Sequence, residues 1–242
     1  MRVLVFRPQE QGEETAARLA RRPIAQSDEA ILAPVLSIVP TGTAPPPGPF
    51  DALLVTSRNV VPPLAAEPDL LANLPVFAVG PRTGAALAAA GCRDVAVADG
   101  DAVSLAVLVT RRLRPGSALL HAAGRDRRAE PGATLAAAGF SVTTWEVYAA
   151  EPLAHLPEAA RTALAAGAVD AALHYSPRSA AIAERLAREA GLGRAFADIL
   201  HLCLSPNVAD AFAARPPRFM VAEEPSEASL LSLLHQEDGR TD

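Results

Sequence analysis

The chain has 242 residues, half of them hydrophobic and a fifth charged, with a net charge of −5, enough for one large or two ordinary domains with a sizeable core. The acidic balance argues against sequence-independent nucleic-acid binding, which needs a basic face to release counterions. All 22 basic residues are arginine, and the missing lysine excludes Schiff-base chemistry, biotin or lipoyl attachment and a Walker phosphate loop.

The opening "MRVLVFRPQE" places about five apolar residues before Arg7, too few for the apolar region of a signal peptide, and no later run reaches the roughly 18 apolar residues of a membrane span. The expected location is cytoplasmic, with no membrane partner. "RVLVF" reads as a strand, "EETAARLARR" as a helix, "AILAPVLSIV" as a strand and the proline-rich "PTGTAPPPGPF" as a loop. "DALLVTS" is a strand, "RNVVPPLAAE" a short or broken helix, "PVFAVG" a strand, "PRTGAALAAAG" a helix, "DVAVA" a strand and "DAVSLAVLVTRRL" a helix. This alternation predicts α/β architecture with parallel sheets covered by helices.

The second half repeats the order. "SALLHAA" matches the first strand, "AEPGATLAAAGF" the first helix and "SVTTWEVYAAEP" the second strand. "DAALHYS" matches "DALLVTS", "HLCLSPNVADAFAA" matches "VFAVGPRTGAALAA", and "RFMVAEEPSEASLLSLL" matches "DVAVADGDAVSLAVLV". A unit of about half the chain is too long for a solenoid repeat and predicts two similar domains. A consecutive reading cuts them near Pro115.

Candidate binding groups lie where strands meet helices. Ser57 with Asn59, Gly80 to Thr83, Ser176 with Ser179, and Ser205 with Asn207 each follow a strand and open a helical pattern. A helix start has backbone N–H groups without intrahelical partners, which a serine can cap or an anion can use. "GRDRR" (124–128) follows "SALLHAA" and opens a loop at a strand's C-terminal end, where open α/β sheets bind ligands. "RRLR" (111–114) instead closes a helix before Pro115, where cations favour the helix end. "GLGRAF" (191–196) follows a helix and is no dinucleotide fingerprint. Cys92 and Cys203 belong to no Cys-x-x-Cys pattern and read as buried thiols. His121, His174 and His201 sit in apolar runs and read as core residues, so no metal is expected.

The segments "LLVTSRN", "VFAVGPRTGAALAAAGC", "LLHAAGRDRR", "AGFSVTTWEVYAAEP" and "HYSPRSA" resemble, in order and spacing, the uroporphyrinogen-III synthase family. The resemblance runs from Met1 to about Leu234. One departure is "CLSPNVADAF", which replaces the family's usual Gly-x-x-Thr-Ala turn and leaves Ser205 and Asn207 there. The resemblance implies two similar parallel-sheet α/β domains joined by a two-stranded linker, with a cleft between them. Residues 1–36 with 150–242 would form one domain and 37–149 the other, with linker strands near 36–40 and 148–152 acting as a hinge.

The implied substrate is hydroxymethylbilane, a linear tetrapyrrole with eight carboxylates and a hydroxymethyl group; the implied reaction is closure to uroporphyrinogen III with inversion of ring D and loss of water. The resemblance implies a cofactor-free lyase of haem biosynthesis, working as a monomer. Implied substrate-binding residues are Ser57, Arg58, Asn59, Gly80, Thr83, Arg125, Ser176, Arg178, Ser179, Ser205 and Asn207. Tyr148 matches the family's functionally important tyrosine, and a phenol keeps its proton at neutral pH and can donate to a departing hydroxyl. The competing reading is a non-catalytic two-domain protein that binds a tetrapyrrole or another polyanionic small molecule.

Overall fold

The run "RVLVF" forms strand β1 (Arg2–Phe6), and its period-two alternation sends Leu4 and Phe6 to one core and Val3 and Val5 to another. In this computed structural model, which describes residues 1–21, 28–213, 216 and 218–236, β1 belongs to a five-stranded sheet. Its companions are β2 (Glu29–Leu32), β9 (Ala171–His174), β10 (Leu200–Cys203) and β11 (Phe219–Val221), in the order β11-β10-β9-β1-β2, and every pairing is parallel. Helices α1 (Gln9–Ala20) and α11 (Glu227–Ser232) supply Leu19, Leu230 and Leu231 to the core on the Val3 and Val5 face. The opposite face is covered by α7 (Glu158–Ala165), α8 (Pro177–Glu189), α9 (Gly193–Asp198) and α10 (Pro206–Ala209). Burial on both faces is why the central strands β1, β9 and β10 are largely apolar.

The second sheet has six strands. They are β3 (Leu36–Pro40), β4 (Ala52–Val55), β5 (Val76–Ala78), β6 (Val95–Val97), β7 (Ala118–Gly124) and β8 (Ser141–Pro152), in the order β3-β8-β7-β4-β5-β6. The pairings among β4, β5, β6, β7 and β8 are parallel. Leu53 and Val55 pack with Val60, Leu64 and Leu87, from a 3-10 turn at Arg58–Val60, α2 (Val61–Ala65) and α4 (Pro81–Ala89). Ala52 and Leu54 pack with Leu105, Val109 and Leu135, from α5 (Ala102–Arg112) and α6 (Gly132–Ala137).

By its internal contacts the chain divides into two units, Met1–Ser37 with Glu151–Asp242, and Ile38–Ala150. Strands β3 and β8 span the two boundaries. The repeated segments hold equivalent sheet positions: β11-β10-β9-β1-β2 in one sheet corresponds to β6-β5-β4-β7-β8 in the other. Each sheet nevertheless draws on both halves of the chain, because β1 bonds to β9 and β4 bonds to β7. The consecutive cut near Pro115 does not describe this pairing.

Several local expectations change. "AILAPVLSIV" is two strands in different sheets, separated at Pro34, which has no N–H to donate. The broken helix at 58–67 is the 3-10 turn followed by α2, whose prolines Pro62 and Pro63 sit in the helix's first turn. Helix α1 starts at Gln9, four residues early, and α3 (Pro68–Asn73), α7 and α9 were not anticipated. Arg22 and Ala214, the final residues of two expected segments, lie outside the described residues.

Candidate active site

In the unit containing residues 38–150, the candidates lie along the C-terminal edge of its sheet. Ser57 follows β4 in extended backbone, and its hydroxyl accepts from the Asn59 N–H at 3.2 Å, so the serine caps the turn that presents Arg58. Gly80 opens α4 after β5. A Cβ there would stand 3.1 Å from the Gly100 Cα, so glycine permits the close approach of two loop backbones. Thr83 is buried in the first turn of α4.

Next along the edge come β7 and β8. Arg125 is exposed just beyond β7, and its backbone N–H donates to the Tyr148 carbonyl at 2.9 Å. Its guanidinium Nε lies 3.9 Å from Glu146, whereas Arg127 binds the same carboxylate at 2.8 Å and also donates to the Gly124 and Arg125 carbonyls. Arg127 therefore braces the loop, leaving Arg125 the more loosely held cation. Tyr148 is half-buried and packs against the Leu53 and Val55 core. Its ring lies over Gly124, where a Cβ would meet two ring carbons at 2.6 and 2.8 Å and the hydroxyl oxygen at 2.9 Å. The sheet order thus places Tyr148, Arg125, Ser57 with Asn59, and Gly80 in sequence along one edge.

The other unit repeats part of this row. Ser176 caps α8, accepting from the Ser179 N–H at 3.1 Å, and the two hydroxyls lie 2.7 Å apart; Arg178 is exposed in the same turn. Ser205 opens α10 without a side-chain cap, and Asn207 is exposed on that four-residue helix. The shortness of α10 makes this the weakest of the four helix starts.

Sequence reasoning missed a polar cluster beside Ser176. The Glu227 carboxylate accepts from Arg7 at 3.0 Å, from Thr15 at 2.6 Å and from the Tyr175 hydroxyl at 3.1 Å, and it also meets Arg18. The Arg7 guanidinium stacks over the Tyr175 ring at 4.2 Å. The available signal was Arg7 itself, which follows β1 as Arg125 follows β7.

Burial favours the neutral form of three histidines and two cysteines. His201 donates from Nε2 to the Phe196 carbonyl at 2.8 Å, so its Nδ1 accepts from His174 Nε2 at 3.0 Å and His174 Nδ1 has no partner. Burial pushes His174 well below the ordinary imidazole range and His201 to about 4. His121, hydrogen-bonded to Thr56 at 3.2 Å, is also pushed to about 4, by burial and then by the Arg127 charge. Cys92 and Cys203 are free and buried, with Cys203 pushed up to about 12 by desolvation. Among the described residues no cluster of His, Cys, Asp and Glu could hold a metal ion, and no helix is long and apolar enough to cross a membrane.

A search of curated proteins finds no match. Among solved structures, the chain is similar to a mutant uroporphyrinogen III synthase from the extremely thermophilic bacterium Thermus thermophilus, with 21% identity, all of both chains covered and a TM-score of 0.51. It is also similar to the uroporphyrinogen-III synthetase of Helicobacter pylori, with 16% identity, 96% of this chain and 98% of the other covered, and a TM-score of 0.59. At such identities these two likenesses establish the fold. Residues 15–232 match the family model described as uroporphyrinogen-III synthase HemD. With that match spanning most of its length, the chain belongs to the uroporphyrinogen-III synthase family, the cyclising lyases of tetrapyrrole biosynthesis.

Proposed function

We infer that this chain closes hydroxymethylbilane to uroporphyrinogen III, with Tyr148 assisting departure of the hydroxyl group and the strand-end donors holding the substrate's carboxylates. The family match over residues 15–232 is the observation that carries the reading. Its chemical support is the row of capped turns and arginines at the C-terminal strand edges, where N–H groups and guanidiniums suit an octa-anion. On this reading the two units are the family's two domains, β3 and β8 are its linker strands, and the enzyme acts as a cytoplasmic monomer.

The carbon–oxygen bond of the hydroxymethyl group breaks with the electron pair leaving on oxygen. A hydrogen bond from the Tyr148 phenol offsets that charge, and the oxygen departs as water once it gains a proton. The resulting azafulvene carbon is attacked by the substituted carbon of the far pyrrole ring, giving a spiro intermediate that fragments, recloses with ring D inverted and loses a proton. Spontaneous closure gives the symmetric type I isomer, so the protein's main contribution is orientation, which contributes through proximity and avoided solvent reorganisation.

The test is isomer analysis of product made from hydroxymethylbilane. The expected outcome is type III formation faster than spontaneous type I closure. Tyr148→Phe should slow it roughly 10²–10⁴-fold, the range for losing a positioned proton donor, with affinity nearly unchanged because the interaction is made in the transition state. Tight tetrapyrrole binding without type III product would instead identify a binding protein.

A further inference from the structure

We infer that Gly124 is a positioning residue for Tyr148: the missing Cβ and a strand irregularity beside it set where the phenol sits. A Cβ built on Gly124 would lie 2.6 Å from Tyr148 Cζ, 2.8 Å from Cε2 and 2.9 Å from the hydroxyl oxygen. Real Cβ atoms do not approach that closely, since carbon contacts are optimal at about 3.5–4.0 Å. The space is therefore filled by the ring, and nothing larger than hydrogen fits beneath it.

The backbone gives no competing reason for glycine here. Gly124 is not among the residues with positive φ, so alanine could adopt its conformation without strain. The pairing of β7 with β8 supplies a second, independent observation. Ala123 pairs with Glu146, but Gly124 pairs with Tyr148, so Val147 is an extra residue on β8 at this point. Such bulges bend a strand and re-aim the neighbouring side chain. Here the shift brings Tyr148 opposite the one residue at the end of β7 that lacks a side chain, and the Arg125 N–H fastens the Tyr148 carbonyl at 2.9 Å.

The catalytic consequence rests on the role proposed above for Tyr148, whereas the placement of the ring does not. An added methyl must displace the ring by about 1 Å to reach ordinary contact, and misplacement of that size is worth up to about 10²-fold in rate. Gly124→Ala should therefore lower kcat for type III formation by roughly 10–10²-fold with KM within about threefold, since the lost interaction belongs to the transition state. On a Tyr148→Ala background the same substitution should change kcat less than about twofold, because the ring it displaces is gone.

A direct readout separates the two ideas. With 13C-labelled tyrosine, the ring resonances of Tyr148 should move in Gly124→Ala while those of Tyr175, the only other tyrosine, stay in place. Unmoved Tyr148 resonances would overturn the inference whatever the activity. Unchanged kcat in Gly124→Ala alongside a slow Tyr148→Phe enzyme would also overturn it. A fully active Tyr148→Phe would remove the phenol's chemical role and leave the ring's placement to be decided by the resonances. If Gly124→Ala does not fold, Gly124→Ala/Tyr148→Ala should fold because it removes the clash. Failure of that double variant, beside a folded Tyr148→Ala, would show that the methyl collides elsewhere and sink the proposal.

Discussion

Ser176 and Ser205 stand at equivalent points after β9 and β10, yet only Ser176 accepts a backbone N–H from the helix it opens. Ser176→Ala should therefore cost about 0.5–2 kcal/mol, the range for a lost cap, while Ser205→Ala should lie within about 0.5 kcal/mol of the parent, as for a substitution that breaks no such feature; urea unfolding would separate them. Equal losses would refute the capping account. If carboxylate binding is spread over many donors, each variant should remain active. The buried histidines set a second expectation. His121 and His201 have folded-state values of about 4, and His174 lies well below its ordinary value. The unfolded chain therefore binds protons that the folded chain refuses once pH drops below about 6.5. This stability is fully present above that pH and is lost as pH falls toward 4, by up to about 1.4 kcal/mol per pH unit for each histidine. Urea midpoints measured between about pH 7 and 5 should fall accordingly, and His121→Gln, which can still reach Thr56, should flatten the slope. An unchanged slope would mean that His121 titrates normally in the fold. Caps of this kind are legible in sequence because serine and its N–H partner are two or three residues apart. The histidine relay is not, since residues 174 and 201 meet only through the pairing of β9 with β10.

At the scale of elements, α11 is fastened to α1 and to the end of β1 through Glu227. Arg7, Thr15, Arg18 and Tyr175 all direct donors at this one carboxylate, and the Arg7 and Glu227 side chains are only 18% and 17% exposed. Removing the acceptor takes the shared counter-ion from the Arg7 and Arg18 guanidiniums, of which Arg7 is the more buried. Glu227→Ala is expected to destabilise the protein by about 3 kcal/mol, the low end for breaking a buried pair because some exposure remains. Glu158→Ala, at an ion pair with Arg161 whose partners are more than half exposed, should change stability by less than about 1 kcal/mol. Chemical denaturation of the two variants checks the contrast, and similar losses would mean that the Glu227 cluster is as well screened as a surface pair. The sequence indicated an apolar helix near "EASLLSLL" and an arginine after the first strand. It held no cue that the two would meet, because Arg7 and Glu227 are 220 residues apart.

At the scale of the whole molecule, residues 38–150 form one uninterrupted stretch with hydrophobic cores on both faces of their sheet. A unit with its own core can fold by itself. The fragment 38–150 should therefore unfold cooperatively in urea, followed by the fluorescence of Trp145, the single tryptophan, which is 4% exposed in the intact chain. A broad, non-cooperative transition would show that this unit depends on the remainder. No corresponding single fragment exists for the other unit, whose β1 and β2 lie far in sequence from β9, β10 and β11.

The sequence by itself determined the alternation of strands and helices, their parallel character, the capped turns after β4 and β9, and the absence of any lysine-dependent chemistry. These follow from neighbouring residues, because apolar periodicity, proline placement and serine caps act over one or two turns of chain. The tertiary structure decided which strands became neighbours. Sheet order brought β1 beside β9, and with it the cage around Glu227, while the shifted register of β7 on β8 brought Tyr148 over Gly124. The physical reason is the same in both cases. Such contacts follow from which strands pair and in what register, and no local pattern in either segment records its partner.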